Sequence, residues 1–196
     1  MGGYLKRLVT SGAAYQAAGL LASLLALFTL PLYTHALTTA DYGYAETLLT
    51  FVILGSIVVR AGAGEGLVRF WFEDDDVDRR LELARATTAF VAFGTTAVLA
   101  VGLALSGPLS ELLLGVRDRE LMGAGLLGLW AFTNLEVAYA LMRVEERRRD
   151  YLAASLTNVV LTVGLTVTLV VGLDGGATAY VLGNYLASTV VLLGVW

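Results

Sequence analysis

Six apolar stretches, each close to the length of a membrane-spanning helix, constrain the fold of this chain more than any other feature. A helix needs roughly 20 consecutive apolar residues to cross the hydrocarbon core of a bilayer. A soluble domain of 196 residues could not bury this much apolar surface. The sequence therefore predicts an all-α integral membrane protein, a single transmembrane bundle over residues 1–196, with spans at about residues 11–33, 42–68, 86–105, 121–142, 152–173 and 177–196.

The residue types that are rare or missing exclude several classes of function. Charged residues make up 15% of the chain, against roughly a quarter in soluble domains. The chain has no cysteine and a single histidine, His35, which argues against disulfides, thiolate metal sites and histidine-based catalysis. No phosphate-binding loop, nucleophile with a base, or basic tract with interleaved aromatic residues is present. We therefore predict a protein that is not an enzyme, needs no cofactor or metal and binds no nucleic acid.

The distribution of lysine and arginine predicts the orientation in the membrane, because cytoplasmic loops carry the excess of these residues. Ten of them fall in segments that alternate spans would place on one side, only Arg117 and Arg119 fall on the other, and Arg60 lies inside a span. This predicts a multi-pass protein of the cytoplasmic (cell) membrane with a cytoplasmic N-terminus. The first apolar run is longer than the hydrophobic part of a signal peptide and is predicted to be a retained helix that Pro31 kinks or ends.

Four charged residues lie within the predicted spans, where burial of charge is costly and often functional, and three of them, Glu46, Arg60 and Glu136, are candidates for a role inside the membrane. Glu46 and Arg60 are fourteen residues apart and fall on nearly the same face of one helix at about 100° per residue. Arg60 either lines a cavity or extends its side chain to the interface. Glu136, in the fourth span, either forms a helix-packing pair with Arg60 or serves as a substrate or proton site.

Single asparagines in the last three spans and Gln16 in the first add further polar groups to the membrane interior: Asn134, Asn158 and Asn184. Polar groups spread over five helices favour a wet interior that the helices share. The alternative is that each asparagine makes an interhelical hydrogen bond, which needs no transport role.

Three local patterns give further predictions. Thr38 and Asp41 carry the capping signal of a helix start. Gly62 and Gly66 form a small-residue pair that would allow another backbone to approach closely, and Glu65 is spaced to pair with Arg69. The segment Leu109 to Glu120 has the pattern of an amphipathic helix lying along the membrane interface.

Parts of the chain resemble a known family of membrane transporters. The segment LPLYTHALTTADYGYAETLLTFVILGSIVVRAGAGEGLVRFWFE (Leu30 to Glu73) combines a proline-kinked helix end, a tyrosine-glycine turn and a long helix ending in glycines and arginine. LMRVEERRRDYLAASLTNVVLTVGLTVTLVV (Leu141 to Val171) and YVLGNYLAS (Tyr180 to Ser188) follow in a matching order. Together they resemble the polysaccharide-biosynthesis flippases of the multidrug/oligosaccharidyl-lipid/polysaccharide exporter superfamily.

The resemblance implies a function and an architecture. Members of this family have twelve to fourteen helices in two lobes, so the chain would be an N-terminal six-helix lobe, with a C-terminal lobe supplied elsewhere in the protein or by a second chain. The substrate would be a polyprenyl-pyrophosphate-linked glycan, taken up from the membrane lipids and moved by alternating access. Related lipid II flippases carry a cavity arginine five residues before Glu-Gly, the spacing of Arg60 and Glu65-Gly66 here. Those relatives carry charged residues in the first helix, and this chain has none there. The difference favours a cell-surface polysaccharide intermediate over lipid II.

The same resemblance assigns roles to the polar residues of the spans. Arg60 would attract the pyrophosphate, the three asparagines would face the sugar, and Glu136 would hold Arg60 or carry a coupling proton. A drug/cation antiporter of the same superfamily is the first alternative, although it would be expected to use acidic residues in the first helix. A non-transporting six-helix scaffold is the second, and a membrane-embedded enzyme is the least favoured.

Overall fold

The computed structural model describes residues 23, 24, 27, 29–73 and 76–195, and all regular secondary structure in these ranges is helical. The all-α prediction is therefore confirmed for this part of the chain. Most of the first predicted span, residues 11–33, lies outside the described residues, and so does residue 196. The helix at residues 29–36 continues past Pro31, so the prediction that this proline ends the helix is wrong.

Seven helices follow in the described part of the chain. Five of them, α1, α3, α5, α6 and α7, are long and apolar enough to cross a membrane, which is compatible with a multi-pass membrane protein and agrees with the second to sixth predicted spans. A π-helical turn, Thr168–Gly172, extends α6. The helices are α1 (Thr39–Arg60), α2 (Ala63–Trp71), α3 (Val77–Ala104), α4 (Ser106–Leu114), α5 (Arg119–Val144), α6 (Arg148–Val167) and α7 (Gly176–Val195).

A break at Ala61 and Gly62 divides the second predicted span, 42–68, into α1 and α2. Both residues have left-handed backbone angles, with φ of 46° and 79°, a conformation that glycine adopts without strain. A Cβ added at Gly62 or Gly66 would meet no described atom within 4 Å. Within the described part of the chain no other backbone approaches these two glycines, and Gly62 serves the turn, so a close approach at this pair stays a prediction.

The starts of the helices are fixed by local hydrogen bonds. Asp41 N–H donates to Thr38 Oγ1 over 3.1 Å at the start of α1, which confirms the capping signal. Helix α4 begins directly after α3 and contains Pro108. Pro108 falls in the first turn of α4, where its missing N–H costs no hydrogen bond. The predicted interfacial helix therefore begins earlier and ends earlier than the sequence indicated.

Helix α5 forms the centre of the bundle. In its apolar segment 72% of the residues are buried, against 17–22% in the apolar segments of α1, α3 and α6. Helices α1, α3 and α7 pack around it. Glycines allow the close contacts, since Gly125 lies against Leu48 of α1 and Gly128 against the ring of Tyr185 of α7. Helices α1 and α6 both contact α5 and α7 and thereby flank a cleft whose floor is formed by α5 and α7.

The contact between α6 and α7 generates a stability prediction. A Cβ at Gly183 would lie 2.5 Å from Thr166 Cα and 2.8 Å from its nitrogen, so backbone would have to move. We expect Gly183→Ala to lower the free energy of unfolding by about 1–3 kcal/mol, measured by thermal unfolding of the detergent-solubilised protein.

Gly164→Ala is the matched control for this substitution. Gly164 also lies within a helix, and a Cβ there meets no described atom within 4 Å. The control should leave stability unchanged or slightly raised, because alanine favours helix over glycine. Equal effects of the two substitutions would show that α6 and α7 do not pack through Gly183.

Candidate functional site

A cleft of about 670 Å³ lies between α1 and α6. It contains three of the six residues that the sequence proposed as cavity residues, Glu46, Asn158 and Asn184. Its remaining walls combine aromatic rings, hydroxyl groups and aliphatic side chains. These residues are Ser23, Leu27, Thr29, Leu30, Tyr33, Tyr42, Ile53, Phe132, Val159, Thr162, Val163, Tyr180, Tyr185 and Ser188.

Glu46 is the one charged side chain among the residues that line this cleft. Tyr42, Tyr180 and Tyr185 also line the cleft and lie near enough to Glu46 for its carboxyl group to influence them. No ion pair to Glu46 occurs among the described residues. The carboxyl group is therefore bordered by tyrosine side chains and has no cationic partner in the described part of the chain.

Asn158 and Asn184 reach the cleft from α6 and α7. Asn184 Nδ2 donates to Tyr180 O over 2.9 Å within its own helix, which fixes the side chain and leaves its carbonyl oxygen on the cleft wall. Ser188 Oγ donates to Asn158 Oδ1 over 3.3 Å and so joins α7 to α6. Asn158 thus joins two helices, whereas the side chain of Asn184 bonds within α7, and both residues line the cleft.

Arg60 and Glu136 come together away from the lining of this cleft. Arg60 Nη1 lies 3.9 Å from Glu136 Oε2, with side-chain exposures of 16% and 30%. Arg60 Nε also donates to Ser56 O over 3.3 Å. The fourteen-residue spacing places Arg60 about 21 Å along α1 from Glu46, at ~1.5 Å per residue. The structure thus shows the helix-packing pair that the sequence left open, while a role of either residue toward a substrate stays a prediction.

Asn134 lies between α3 and α5 and is 8% exposed. Its Nδ2 donates to Thr95 Oγ1 over 2.9 Å and to Trp130 O over 2.7 Å, while Trp130 Nε1 donates to Thr96 Oγ1 over 3.1 Å. These bonds connect two adjacent spans. Of the two interpretations of this residue, interhelical hydrogen bonding is therefore the one that the geometry supports.

Outside the spans, the predicted pair of Glu65 with Arg69 is replaced by another. Arg69 Nε lies 3.7 Å from Glu73 Oε1, and the two side chains are 77% and 56% exposed. The helix break at Gly62 makes α2 a short helix of nine residues, and its last arginine turns to the carboxylate that follows the helix end.

The aromatic members of the cleft are the residues that sequence reasoning missed. Tyr33 and Tyr42 both pack edge-on to Tyr180, with their ring centroids 5.0 and 6.2 Å from its centroid. The spacing of Tyr180, Asn184 and Ser188 at four-residue steps was a usable signal, because such residues share one face of a helix. Their common polarity identifies the face of α7 that borders the cleft.

Comparison of the chain with protein-family models, with curated proteins and with solved structures found no match. The family resemblance of the sequence therefore has no independent support, and an assignment of function has to rest on the residues and geometry described above.

The ion pair of Arg60 with Glu136 generates a prediction about coupling. In a double-mutant cycle with Arg60→Ala and Glu136→Ala, we expect a coupling free energy of about 1 kcal/mol, since both side chains are largely shielded from water. Thermal unfolding of the two single variants and the double variant gives the value.

The pair of Arg69 with Glu73 is the matched control for this cycle. Its separation of 3.7 Å is similar, but both groups are largely exposed, so its coupling should be close to zero. If the two cycles give the same coupling, the contact between Arg60 and Glu136 adds nothing to the packing of α1 on α5.

Proposed function

We propose that this chain is one lobe of a cytoplasmic-membrane transporter that flips a lipid-linked oligosaccharide by alternating access. The observation that carries the proposal is the cleft between α1 and α6, which is open to a ligand and combines polar groups with aromatic rings. Sites for small ligands are concave, mostly apolar, and oriented by a few polar groups. The lining of the cleft has this composition, whereas the other described polar groups of the spans form contacts that pack the helices.

The chemistry of the lining suits a sugar. A sugar hydroxyl donates one hydrogen bond and accepts others, and an asparagine amide offers both kinds of group. Asn158 and Asn184 supply such amides, and the Glu46 carboxylate accepts from hydroxyl donors. The rings of Tyr180 and Tyr185 provide apolar surfaces for the C–H faces of a pyranose. In this proposal the glycan lies in the cleft and its lipid stays in the bilayer beside the lobe.

Arg60 is the residue proposed to meet the pyrophosphate, as a point charge or as a fork of N–H donors. Its separation of about 21 Å from Glu46 along α1 requires a substrate that extends along the helix, which a glycan of several sugars does. Glu136 holds the guanidinium at 3.9 Å when no phosphate is present. An incoming pyrophosphate then takes the place of the Glu136 carboxylate beside Arg60, and it carries more negative charge than that carboxylate.

A drug/cation antiporter is the second candidate, and Glu46 is the specific observation that favours it. A carboxylate that is bordered by tyrosine rings and has no cationic partner among the described residues is also an environment for an organic cation. An antiporter was expected to use acidic residues in the first helix, but the acidic residue of the described cleft comes from α1, the second predicted span. The two candidates therefore share a site and differ in the charge of the substrate.

The transport proposal is tested with the protein purified from its native membrane and reconstituted in liposomes, after its intact mass has shown whether a second lobe belongs to the same chain. We expect Asn184→Ala to slow flipping of a fluorescent polyprenyl-pyrophosphate oligosaccharide about tenfold, because a bound sugar loses a hydrogen bond to its hydroxyl. Asn134→Ala is the control. It removes an amide from the bundle outside the cleft and should lower stability while leaving the flipping rate of folded protein unchanged.

The same liposomes separate the alternatives. If a lipophilic cationic dye is exported, Glu46→Gln abolishes this export and no oligosaccharide moves, the antiporter is correct and the flippase proposal fails. If neither substrate moves and Glu46, Asn158 and Asn184 can all be replaced without loss of the native function, the chain is a scaffold.

The proposed orientation places the N-terminus and the segments after α2 and after α5 in the cytoplasm. The chain has no cysteine, so a single introduced cysteine reports on one position without background. We expect Asp76→Cys, at the start of α3, to resist a membrane-impermeant maleimide added to intact cells and to react after the cells are opened. An Asp118→Cys variant, at the start of α5, should react in intact cells, and the reverse pattern would invert the orientation.

A further inference from the structure

Two apolar grooves open at the end of the bundle where α5 ends and α6 begins. The first, of about 410 Å³, lies between α3 and α5 and includes Ala84 and Ala138. The second, of about 500 Å³, lies between α6 and α7 and includes Ala154 and Val190. Both grooves contain the same three residues at their common border, which are Met142, Arg147 and Val195. The end of α7 thus separates two neighbouring apolar channels that meet at one arginine.

Arg147 is fixed at this border by two carboxylates. Its Nε lies 2.8 Å from Asp150 Oδ2 and its Nη1 lies 3.3 Å from Glu145 Oε2. Hydrogen bonds to Asp150 and then to Glu145 raise the pKa of Arg147 above its ordinary value, so the side chain stays cationic. A guanidinium has five N–H donors, and those not engaged by the carboxylates remain for a further acceptor.

Arg85 lines the first groove together with Arg147. It is exposed and pairs with no carboxylate among the described residues. Glu145 and Asp150 both pair with Arg147. The four charged groups of the two linings, Arg85, Arg147, Glu145 and Asp150, sum to zero. The contact offered to an anionic group is therefore with Arg85, the cation that has no carboxylate at ion-pair distance among the described residues.

The length of α3 places Arg85 at the level of lipid headgroups. The helix has 28 residues and spans about 42 Å at ~1.5 Å per residue, against a hydrocarbon thickness of ~30 Å. All charged residues of α3 lie within its first nine residues, so the excess of about 12 Å, or about eight residues, belongs at that end. The hydrocarbon region then begins close to Arg85, and the apolar floor of the groove lies beneath it.

We propose that these two grooves bind one anionic phospholipid of the surrounding bilayer, with its phosphate at Arg85 and Arg147 and one acyl chain in each groove. Basic pockets between membrane helices are suited to anionic headgroups. Two grooves that meet at one cation match a lipid with two chains joined at one phosphate, and a single polyprenyl chain would leave one groove empty. The lipid joins α3, α5, α6 and α7 at this end. The site depends on membrane insertion but is independent of the proposed transport function.

Native mass spectrometry of the intact protein in detergent, titrated with phosphatidylglycerol or with phosphatidylcholine of the same chains, tests this site. We expect one phosphatidylglycerol to bind about tenfold more tightly than phosphatidylcholine, the gain of one charge-assisted contact. Arg85→Ala should remove this preference, and Arg85→Lys should keep part of it. Arg149→Ala is the matched control, since Arg149 lies in the same charged segment and lines neither groove, and it should keep the preference.

A second variant tests the groove without changing charge. Ala84→Leu adds apolar volume to the first groove and should weaken both lipids. Equal losses in Arg85→Ala and Arg149→Ala would overturn the proposal in favour of a diffuse surface charge. If glycerol 3-phosphate competes at the same concentration, the site binds phosphate and the acyl chains have no role. If polyprenyl phosphate binds more tightly than the phospholipid, the grooves belong to a single-chain lipid. Either result contradicts the proposed occupant.

Discussion

The close packing of α5 against its neighbours is the contact on which the described architecture depends. In a bilayer the surrounding lipid is as apolar as a leucine side chain, so helices associate through tight van der Waals contact rather than through exclusion from water. The glycines of α5 allow this contact, since Leu48 and Tyr185 approach positions where a larger residue would exclude them. Tyr185 reaches the cleft because Gly128 leaves room for its ring, so the packing of the centre also shapes the candidate site.

Two kinds of polar group in the spans can be separated by their partners. Asn134 has its donor group satisfied by Thr95 and Trp130 between two packed helices, and such bonds are worth ~0.6 kcal/mol on average in membrane proteins. Glu46 lies on the lining of the cleft and has no ion-pair partner among the described residues. The first arrangement is explained by helix association. The second is not explained by any described packing contact, which is the reason for proposing a function for the cleft.

The sequence predicted the spans well and their interruptions poorly. Length and hydropathy identify α3, α5, α6 and α7 because a bilayer imposes a minimum length on any apolar helix. The break at Ala61 and Gly62 was not predicted, since a single left-handed residue leaves no periodic signal and glycine is common inside membrane helices. The pairing of Arg60 with Glu136 was open to prediction, as opposite charges at similar depth attract. Asn134 lies outside the cleft that Asn158 and Asn184 line. This difference depends on how each helix is rotated about its axis, and the amino-acid composition carries no information on that rotation.

The positions of Glu46 and of the arginines also restrict what can occupy the cleft. Coulomb repulsion between a phosphate and an uncompensated carboxylate is strong where water is scarce, so a pyrophosphate is excluded from the region around Glu46. A neutral sugar is not repelled, and its hydroxyls can donate to the carboxylate. In the proposed function, the phosphate end of a lipid-linked sugar would lie toward Arg60, farther along α1. This distribution of charge along one helix is the reason for proposing a substrate with a neutral end and an anionic end, bound in a single orientation.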